Sequence, residues 1–398
     1  MSAPARIAVV GGGTMGAGIA ALACRRGIAT VLCDVDEAAV AAGLRAVADE
    51  HARRVGRGRM SEAEADAAGA LLTGASELAA AAGAEVAIEA VPERPQLKRE
   101  LFARLAEIAP EAVLASNTSS IPIATIADAV STPARVLGLH FFNPPGAMRL
   151  VELVTTPATA PAAAARARAL AEALGKQVVT VADGPGFLVN RCARPYYLEA
   201  LRIVESGVAT APEVDRACEA AGFPMGPFRL MDTIGIDVSL AVTRSMHEQS
   251  GGEPRWQPTA TQEAMAAAGT LGRKSGRGFY DYGDGGAAAG AAGEARDDAP
   301  ARPELVERIV AQLVNEAWFA LDAGVAAAQD DVDLAMTVGL GHPRGPFAWG
   351  RELGLARVVA ALRELAGPDG DRRYRVAAGL AAAAAGGASA AEPLGLDA

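Results

Sequence analysis

The sequence predicts an α/β domain with an open, mostly parallel sheet, followed by two tandem, homologous all-α domains. Three observations predict this fold class. Short apolar runs alternate with helical stretches as far as residue 182, a Gly-Pro-Gly turn follows, and a helical pattern then occurs twice. We therefore expect an α/β domain at 1–182, helical domains at 183–282 and 301–385, a Gly/Ala-rich linker at 283–300 and a flexible tail at 386–398.

The composition excludes several classes of protein. The net charge is −10, whereas nucleic-acid binding requires an excess of lysine and arginine. No uncharged apolar run approaches the roughly 20 residues of a membrane span. The first predicted strand starts at Arg6, which leaves no room for a targeting peptide. The four cysteines lack metal-binding spacing. We expect a cytoplasmic protein with no metal site and no nucleic-acid or membrane partner.

The first strand and helix carry a dinucleotide-binding pattern. The apolar run at 6–10 leads into the G-x-G-x-x-G pattern of Gly11, Gly13 and Gly16. Such glycines let the backbone approach a pyrophosphate at the N-terminus of a helix. Asp34 ends the second strand, where a carboxylate binds the adenosine ribose and repels the extra phosphate of NADP. The alternative is a Gly-rich turn with a surface Asp. We predict a Rossmann-like domain that binds NAD through these residues and through Thr14 and Met15.

Polar residues follow two later strands. Asn117 and Ser119 come directly after the apolar strand at 113–116, and His140 closes the strand near 135–139. Ligands of such sheets bind at the carboxyl ends of the strands. The alternatives are a helix cap for the first two residues and an ordinary core or surface histidine for the third.

Glu152 interrupts an otherwise apolar strand near 148–154. Side chains alternate along a strand, so Glu152 shares a face with Leu150 and Val154, which we expect to be buried. A buried carboxylate needs a partner. We expect that partner to be His140 on the neighbouring strand.

The segment 184–191 joins the sheet pattern to the helical pattern. We expect Pro185 to lie in the first turn of a long helix, and Asn190 to face the substrate about a turn and a half along it.

These residues resemble the L-3-hydroxyacyl-CoA dehydrogenases of fatty-acid β-oxidation. The matching motifs occur in the order of that family: VVGGGTMGAGIA (9–20), AIEAVPE (87–93), SNTSS (116–120), GLHFFNPP (138–145), VELV (151–154), DGPGFLVNR (183–191), FPMGPFRLMD (223–232) and GRKSGRGFYDY (272–282).

The resemblance implies NAD-dependent, reversible oxidation of an (S)-3-hydroxyacyl-CoA to a 3-oxoacyl-CoA. It implies that His140 is the general base, oriented by Glu152, and that Ser119 and Asn190 bind the substrate oxygen. The further residues implied for NAD are Glu93, Lys98, Asn117, Ser119, Asn143 and Lys274. Those implied for the phosphates of coenzyme A are Arg54, Arg57 and Arg59.

The helical repeat pairs residues 196–236 with 313–355. Asn190 falls opposite Glu307, so we expect the second copy to be structural. In single-copy members of the family this domain forms the dimer interface. The chain is therefore expected to be either a monomer with an internal pseudo-dimer or a homodimer.

Several alternatives remain open at this stage. The motif GHPRGPFAW (341–349) resembles the two-copy dehydrogenases of phenylacetate degradation, which act on 3-hydroxyadipyl-CoA, and 3-hydroxybutyryl-CoA is the competing substrate. A non-catalytic NAD-binding or structural protein would have lost the polar residues at the strand ends. A dehydrogenase of free hydroxy acids would require an arginine for the carboxylate and would not explain the His and Glu pair.

Overall fold

The computed structural model describes residues 3–283 and 302–386 of the chain. It divides into two compact units, Met1–Phe187 and Leu188–Ala398. Most of the predicted linker at 283–300 and of the predicted tail at 386–398 lies outside the described residues, and the domain boundaries remain predictions.

Unit 1 is built on one eight-stranded sheet. The strands are β1 (Arg6–Val10), β2 (Ala29–Cys33), β3 (Leu72–Ala75), β4 (Val86–Glu89), β5 (Val113–Ser116), β6 (Val136–Phe141), β7 (Leu150–Thr155) and β8 (Gln177–Ala182). Their order is β3-β2-β1-β4-β5-β6-β7-β8, and of these pairs only β6 and β7 run antiparallel. The order reverses beside β1, which is where such sheets bind their ligands. The predicted α/β fold is confirmed.

The helices of unit 1 are α1 (Thr14–Arg25), α2 (Glu37–Gly56), α3 (Glu62–Gly69), α4 (Pro95–Ile108), α5 (Ile123–Ala127) and α6 (Pro161–Ala173). The central strands are buried along their whole length and are mostly apolar, as expected for strands covered on both faces. Strand β3 was not predicted from the sequence. It has no apolar run, and it is half-exposed at the edge of the sheet beside β2.

Unit 2 is helical. Its helices are α7 (Val189–Glu205), α8 (Ala211–Ala220), α9 (Pro227–Ile234), α10 (Ile236–Gln249), α11 (Ala260–Ala267), α12 (Pro303–Asp322), α13 (Gln329–Leu340), α14 (Pro346–Leu353), α15 (Leu355–Ala366) and α16 (Ala378–Gly386). The two long helices α7 and α12 pack against each other. Among the described residues, no helix has both the length and the apolar character that a membrane span requires.

The sequence repeat is also a structural repeat within unit 2. Asp215 accepts hydrogen bonds from the first amides of α9, at Phe228 N (2.8 Å) and Arg229 N. Asp333, its counterpart, accepts the equivalent bond from Phe347 N at 2.7 Å on α14. Each copy therefore starts this short helix with the same carboxylate cap, which satisfies amides that have no partner inside the helix.

The start of α7 differs from the prediction. The helix begins at Val189, so Asn190 lies in its first turn and Pro185 lies in a preceding turn outside the helix. Gly186 and Phe187 have φ values of 73° and 50°. This left-handed conformation interrupts the chain between Pro185 and the helix, which explains why the predicted position of Pro185 is wrong.

Candidate active site

His140 and Glu152 form a buried pair at the carboxyl edge of β6. They stand directly opposite each other in the antiparallel pair of β6 and β7. His140 Nδ1 lies 2.7 Å from Glu152 Oε2, and the exposed fractions of the two residues are 6% and 0%. The expected contact is therefore present. A carboxylate in this position holds the proton on Nδ1 and leaves Nε2 as the acceptor of the imidazole.

Asn117 connects the end of β5 to the end of β6. Its Oδ1 accepts a hydrogen bond from Phe141 N at 2.9 Å, one residue after His140. The Phe142 ring lies 4.5 Å from the imidazole and the Phe187 ring 5.8 Å, both measured between ring centroids. The imidazole therefore has a carboxylate on one side and apolar rings beside it.

Glu93 organises the loop that carries Ser119. Its Oε1 accepts hydrogen bonds from Thr118 Oγ1, from the amides of Ser119 (3.1 Å) and Ser120 (3.2 Å), and from Ser120 Oγ at 2.9 Å. Burial raises the pKa of Glu93, but the charge of Lys98 and the hydrogen bonds from Thr118 and Ser120 outweigh it, so the pKa is lowered. An ionised Glu93 holds the loop after β5 in one conformation.

Lys98 is buried beneath this loop, with an exposed fraction of 1%. Its Nζ donates to Glu89 Oε1 (2.6 Å) and to Val91 O (3.4 Å), and lies 3.0 Å from Glu93 Oε2. An ammonium has three donors, and these partners account for them. Glu89 is fully buried and also accepts a bond from Ser116 Oγ. Glu89 is not among the residues predicted from the sequence, although a charge inside the apolar run of β4 is a visible signal.

The glycine-rich turn fits a dinucleotide. A Cβ on Gly11 would lie 2.6 Å from Ala90 O, and one on Gly16 would lie 1.7 Å from Gly11 O, so neither position admits a side chain. At Gly13 a Cβ would meet nothing within 4 Å among the described residues. Gly13 precedes α1, whose first turn has no acidic residue or side-chain cap in this part of the structure. The turn thus offers room and helix N-terminal amides to a pyrophosphate.

Asp34 stands beside this turn at the end of β2. Its Oδ2 accepts a hydrogen bond from Gly12 N at 2.6 Å, and its Oδ1 accepts one from Val35 N at 2.7 Å. Thr14 is exposed and Met15 half-buried in the first turn of α1. Carboxylate, glycines and helix N-terminus therefore occur together, as the sequence predicted for an NAD site.

The loop between β6 and β7 carries Asn143, which is exposed. Lys176 is buried under this loop and donates hydrogen bonds to Pro145 O and Met148 O, both at 2.5 Å. Burial and the nearby charges of Arg25 and Arg26 lower the pKa of Lys176 to about 8. Lys176 is not among the residues predicted from the sequence, because a lysine that binds backbone carbonyl groups leaves no motif.

The remaining residues predicted from the sequence lie outside the strand ends and the glycine-rich turn described above. Arg54, Arg57 and Arg59 lie at the end of α2 and in the turn after it, with Arg54 Nη1 3.6 Å from Glu50 Oε1. Asn190 and Lys274 belong to unit 2, where Lys274 Nζ lies 2.5 Å from Asp237 Oδ1 on an exposed surface.

The sheet order and the glycine-rich turn of unit 1 define a dinucleotide-binding domain, the class to which NAD-dependent dehydrogenases belong. Comparison with known proteins identifies the family. The model for the 3-hydroxyacyl-CoA dehydrogenase NAD binding domain matches residues 6–184, and the model for the C-terminal domain of that family matches 186–282 and 305–392. The chain belongs to the 3-hydroxyacyl-CoA dehydrogenase family. It is an NAD-dependent oxidoreductase that oxidises 3-hydroxyacyl-CoA.

Relatives support this assignment over most of the chain. The 3-hydroxyadipyl-CoA dehydrogenase of Escherichia coli strain K12 is 36% identical over 93% of this chain and 95% of its own length. A 3-hydroxybutyryl-CoA dehydrogenase of Mycobacterium tuberculosis is 46% identical over 70% of this chain and 98% of its own. The crystal structure of 3-hydroxybutyryl-CoA dehydrogenase from E. coli K12 has a TM-score of 0.89 and 34% identity, and covers 96% of this chain and 98% of that one.

Proposed function

We propose that His140 is the general base of this dehydrogenase and that Glu152 orients it. The supporting observation is the buried 2.7 Å contact between Nδ1 and Oε2, which commits Nδ1 to the carboxylate. When the C3 hydroxyl group of the substrate becomes a carbonyl, its proton passes to Nε2 of His140. Bound NAD supplies the hydride acceptor. A base positioned in this way contributes roughly 10² to 10⁴ in rate, and the nearby carboxylate stabilises the imidazolium that forms.

Ser119 and Asn190 are proposed to donate hydrogen bonds to the oxygen at C3. The loop of Ser119 is held by Glu93 through its backbone amides, which gives the serine a defined position. Asn190 lies in the first turn of α7. One donor directed at a reacting oxygen can contribute roughly 3 to 4 kcal/mol in a site that excludes water.

For the cofactor, we propose that the pyrophosphate binds at Gly13 and Thr14 and that Asp34 binds the adenosine ribose. Met15, Asn117, Asn143 and Lys274 are further proposed contacts. Because the donors of Lys98 already have protein partners, its proposed role is to hold Glu93 in place for the cofactor. For coenzyme A, the exposed cations Arg57 and Arg59, with Arg54, are proposed to bind the phosphates.

For the acyl group, we propose 3-hydroxyadipyl-CoA, with 3-hydroxybutyryl-CoA as the competing substrate. The relative named for the former aligns with 93% of this chain, including both helical copies. The M. tuberculosis relative named for the latter aligns with 70%. The E. coli crystal structure that matches almost the whole chain also carries the latter name, so both thioesters must be tested. We further propose that the enzyme acts in the cytoplasm.

The first test follows NADH absorbance while the enzyme is offered 3-hydroxyacyl-CoA thioesters from short chain to dicarboxylic. We expect turnover with at least one of them. His140→Ala and Glu152→Gln should each lower kcat by at least about 100-fold, and Asn190→Ala should lower kcat clearly while changing the free energy of unfolding little. His247→Ala, a change of the same kind on α10, is the matched control.

Binding of NAD, measured by fluorescence, should persist in all four variants. Full activity in either His140→Ala or Glu152→Gln would refute the proposed mechanism. If the parent enzyme turned over no thioester but still bound NAD, a non-catalytic NAD-binding role would replace the proposed function.

A further inference from the structure

Helix α7 carries three buried arginines, and one of them differs from the others. Arg191 Nε lies 2.8 Å from Glu316 Oε1, and Arg202 Nη1 lies 3.3 Å from Glu199 Oε2. Arg194 has an exposed fraction of 4%, yet it pairs with no carboxylate in the part of the chain that the structure describes. A buried cation without a counter-ion is costly for a fold to keep.

Within the described ranges, the contacts of Arg194 are all with neutral groups. Its Nη1 donates to Ser239 O and Thr243 Oγ1 on α10, both at 3.2 Å, and its Nε lies 3.4 Å from Asn190 O. The Tyr197 ring centroid lies 4.7 Å from the guanidinium carbon. Burial lowers the pKa of Arg194, but a guanidinium does not lose its proton in proteins. The side chain is therefore a fixed, oriented positive charge that its protein partners do not neutralise.

The position of Arg194 relates it to the substrate. It follows Asn190 by four residues on α7, so the two residues share one face of the helix, roughly 6 Å apart along its axis. Asn190 is proposed to bind the oxygen at C3 of the acyl chain. In a six-carbon dicarboxylic chain, the second carboxyl carbon is three bonds of about 1.5 Å beyond C3. With a hydrogen bond of about 2.8 Å added, a donor that binds this carboxylate lies roughly one helical turn beyond C3.

We propose that Arg194 binds the distal carboxylate of a dicarboxylic 3-hydroxyacyl thioester and makes this enzyme selective for it. A guanidinium donates charge-assisted hydrogen bonds to a carboxylate from a planar set of donors that a lysine lacks, and Nη2 of Arg194 donates to none of the described residues. A four-carbon chain ends at C4 and leaves the guanidinium without an anion. This inference rests on the proposed function and specifies the substrate class of that same site.

The competing explanation is that Arg194 only fastens α7 to α10 through Ser239 and Thr243. The two explanations differ in what they predict for substrates. A fastening role affects every substrate alike, whereas a carboxylate-binding role affects the dicarboxylic substrate most.

The test compares kcat/KM for 3-hydroxyadipyl-CoA, its 6-methyl ester and 3-hydroxybutyryl-CoA. In the parent enzyme, the free acid should be preferred over its methyl ester by about 100-fold. In Arg194→Gln, the ratio of kcat/KM for the acid to that for 3-hydroxybutyryl-CoA should fall by about 100-fold, mainly through KM. Arg194→Lys should give an intermediate ratio. Arg244→Gln, which removes an exposed arginine paired with Glu263 on the neighbouring surface, should keep the ratio of the parent.

Equal losses with the acid and with 3-hydroxybutyryl-CoA in Arg194→Gln would overturn the inference and leave the fastening role. If Arg194→Gln does not fold, the parent still decides: equal kcat/KM for acid and methyl ester would overturn the inference. Either of these results leaves the proposed dehydrogenase function intact. Absence of turnover with every thioester would remove the proposed function, and this inference with it.

Discussion

At the scale of single residues, the main feature of unit 1 is a set of polar side chains that are buried in apolar strands. Glu152 is enclosed by an apolar strand and lies against His140, while Glu89 is enclosed by another and lies against Lys98 and Ser116. Each carboxylate is kept inside by a specific partner, since an unpaired buried charge would be neutralised. A substitution of one partner is therefore expected to alter the position or the charge of the other, because that residue would lose its partner while still buried.

The pair of His140 and Glu152 could be predicted from the sequence, whereas the other buried polar contacts could not. Glu152 could be placed inside because strand alternation is strict, and a histidine closed the strand that precedes it in the chain. The contacts of Lys176 and Arg194 are with carbonyl and hydroxyl oxygens, which occur at every residue or are common. No pattern in the sequence marks which of those oxygens a long side chain will reach.

His342 provides a prediction for pH. It is buried beside the rings of Tyr196 and Phe223, and burial lowers its pKa to about 4 from an ordinary value of 6.5. Between these values the unfolded chain binds a proton that the folded chain does not. The stability that depends on a neutral His342 is therefore fully present above pH 6.5 and is lost as the pH falls toward 4.

We expect His342→Phe to lose less stability than the parent on acidification. Urea unfolding at pH 7 and pH 5 should show that the change in the free energy of unfolding is smaller in the variant by about 1 to 2 kcal/mol. Phenylalanine already occupies the corresponding position 223 of the first copy, so the volume fits a similar site. The same difference between variant and parent at both pH values would contradict this origin of the acid sensitivity.

At the scale of elements, the loop between β6 and β7 joins the strand of His140 to the strand of Glu152. Lys176, directly before β8, ties this loop down through Pro145 O and Met148 O. Lys176→Met should leave two carbonyl groups without their donor and lower the free energy of unfolding by about 1 to 3 kcal/mol.

Because the loop also carries Asn143, we expect KM for NAD to rise in Lys176→Met. Chemical unfolding and NADH-coupled kinetics measure the two effects. Arg244→Met, which breaks an exposed pair with Glu263 in unit 2, is the matched control and should change stability by less than about 1 kcal/mol. A Lys176 variant as stable as this control would show that the loop does not depend on the ammonium.

Element boundaries were less predictable than element types. The glycine-rich turn and α1 could be predicted because the motif has a single structural use in this setting. The start of α7 could not be predicted, because a phenylalanine rarely has a positive φ and its residue type gave no sign that Phe187 would. Asn190 is consequently closer to the helix N-terminus than the sequence indicated.

At the scale of the whole molecule, unit 2 pairs its two copies reciprocally. Arg191 Nε donates to Glu316 Oε1 at 2.8 Å, and the corresponding Arg308 Nε donates to Glu199 Oε1 at 2.6 Å. Gly222 approaches Pro343, and Gly341, its counterpart, approaches Pro224. Such exchange of equivalent contacts is typical of a two-fold dimer interface, here formed within one chain.

We therefore expect the chain to be a monomer in solution. The apolar face of α7 is already buried by α12, so it is not available to a second molecule. Sedimentation velocity from 1 to 100 μM should give one species near the chain mass of 40.3 kDa. A species of twice that mass across the range would instead support the homodimer.

The joining of both copies in one polypeptide has a consequence for dilution. Two separate subunits dissociate when their concentration falls below their dissociation constant, and a dimer-dependent enzyme then loses its folded form. Here α12 is tethered to α7, so its local concentration is set by the chain and not by the number of molecules in the solution. Specific activity should then stay constant down to nanomolar enzyme, whereas the activity of an enzyme that depends on two separate subunits falls once it is diluted below their dissociation constant.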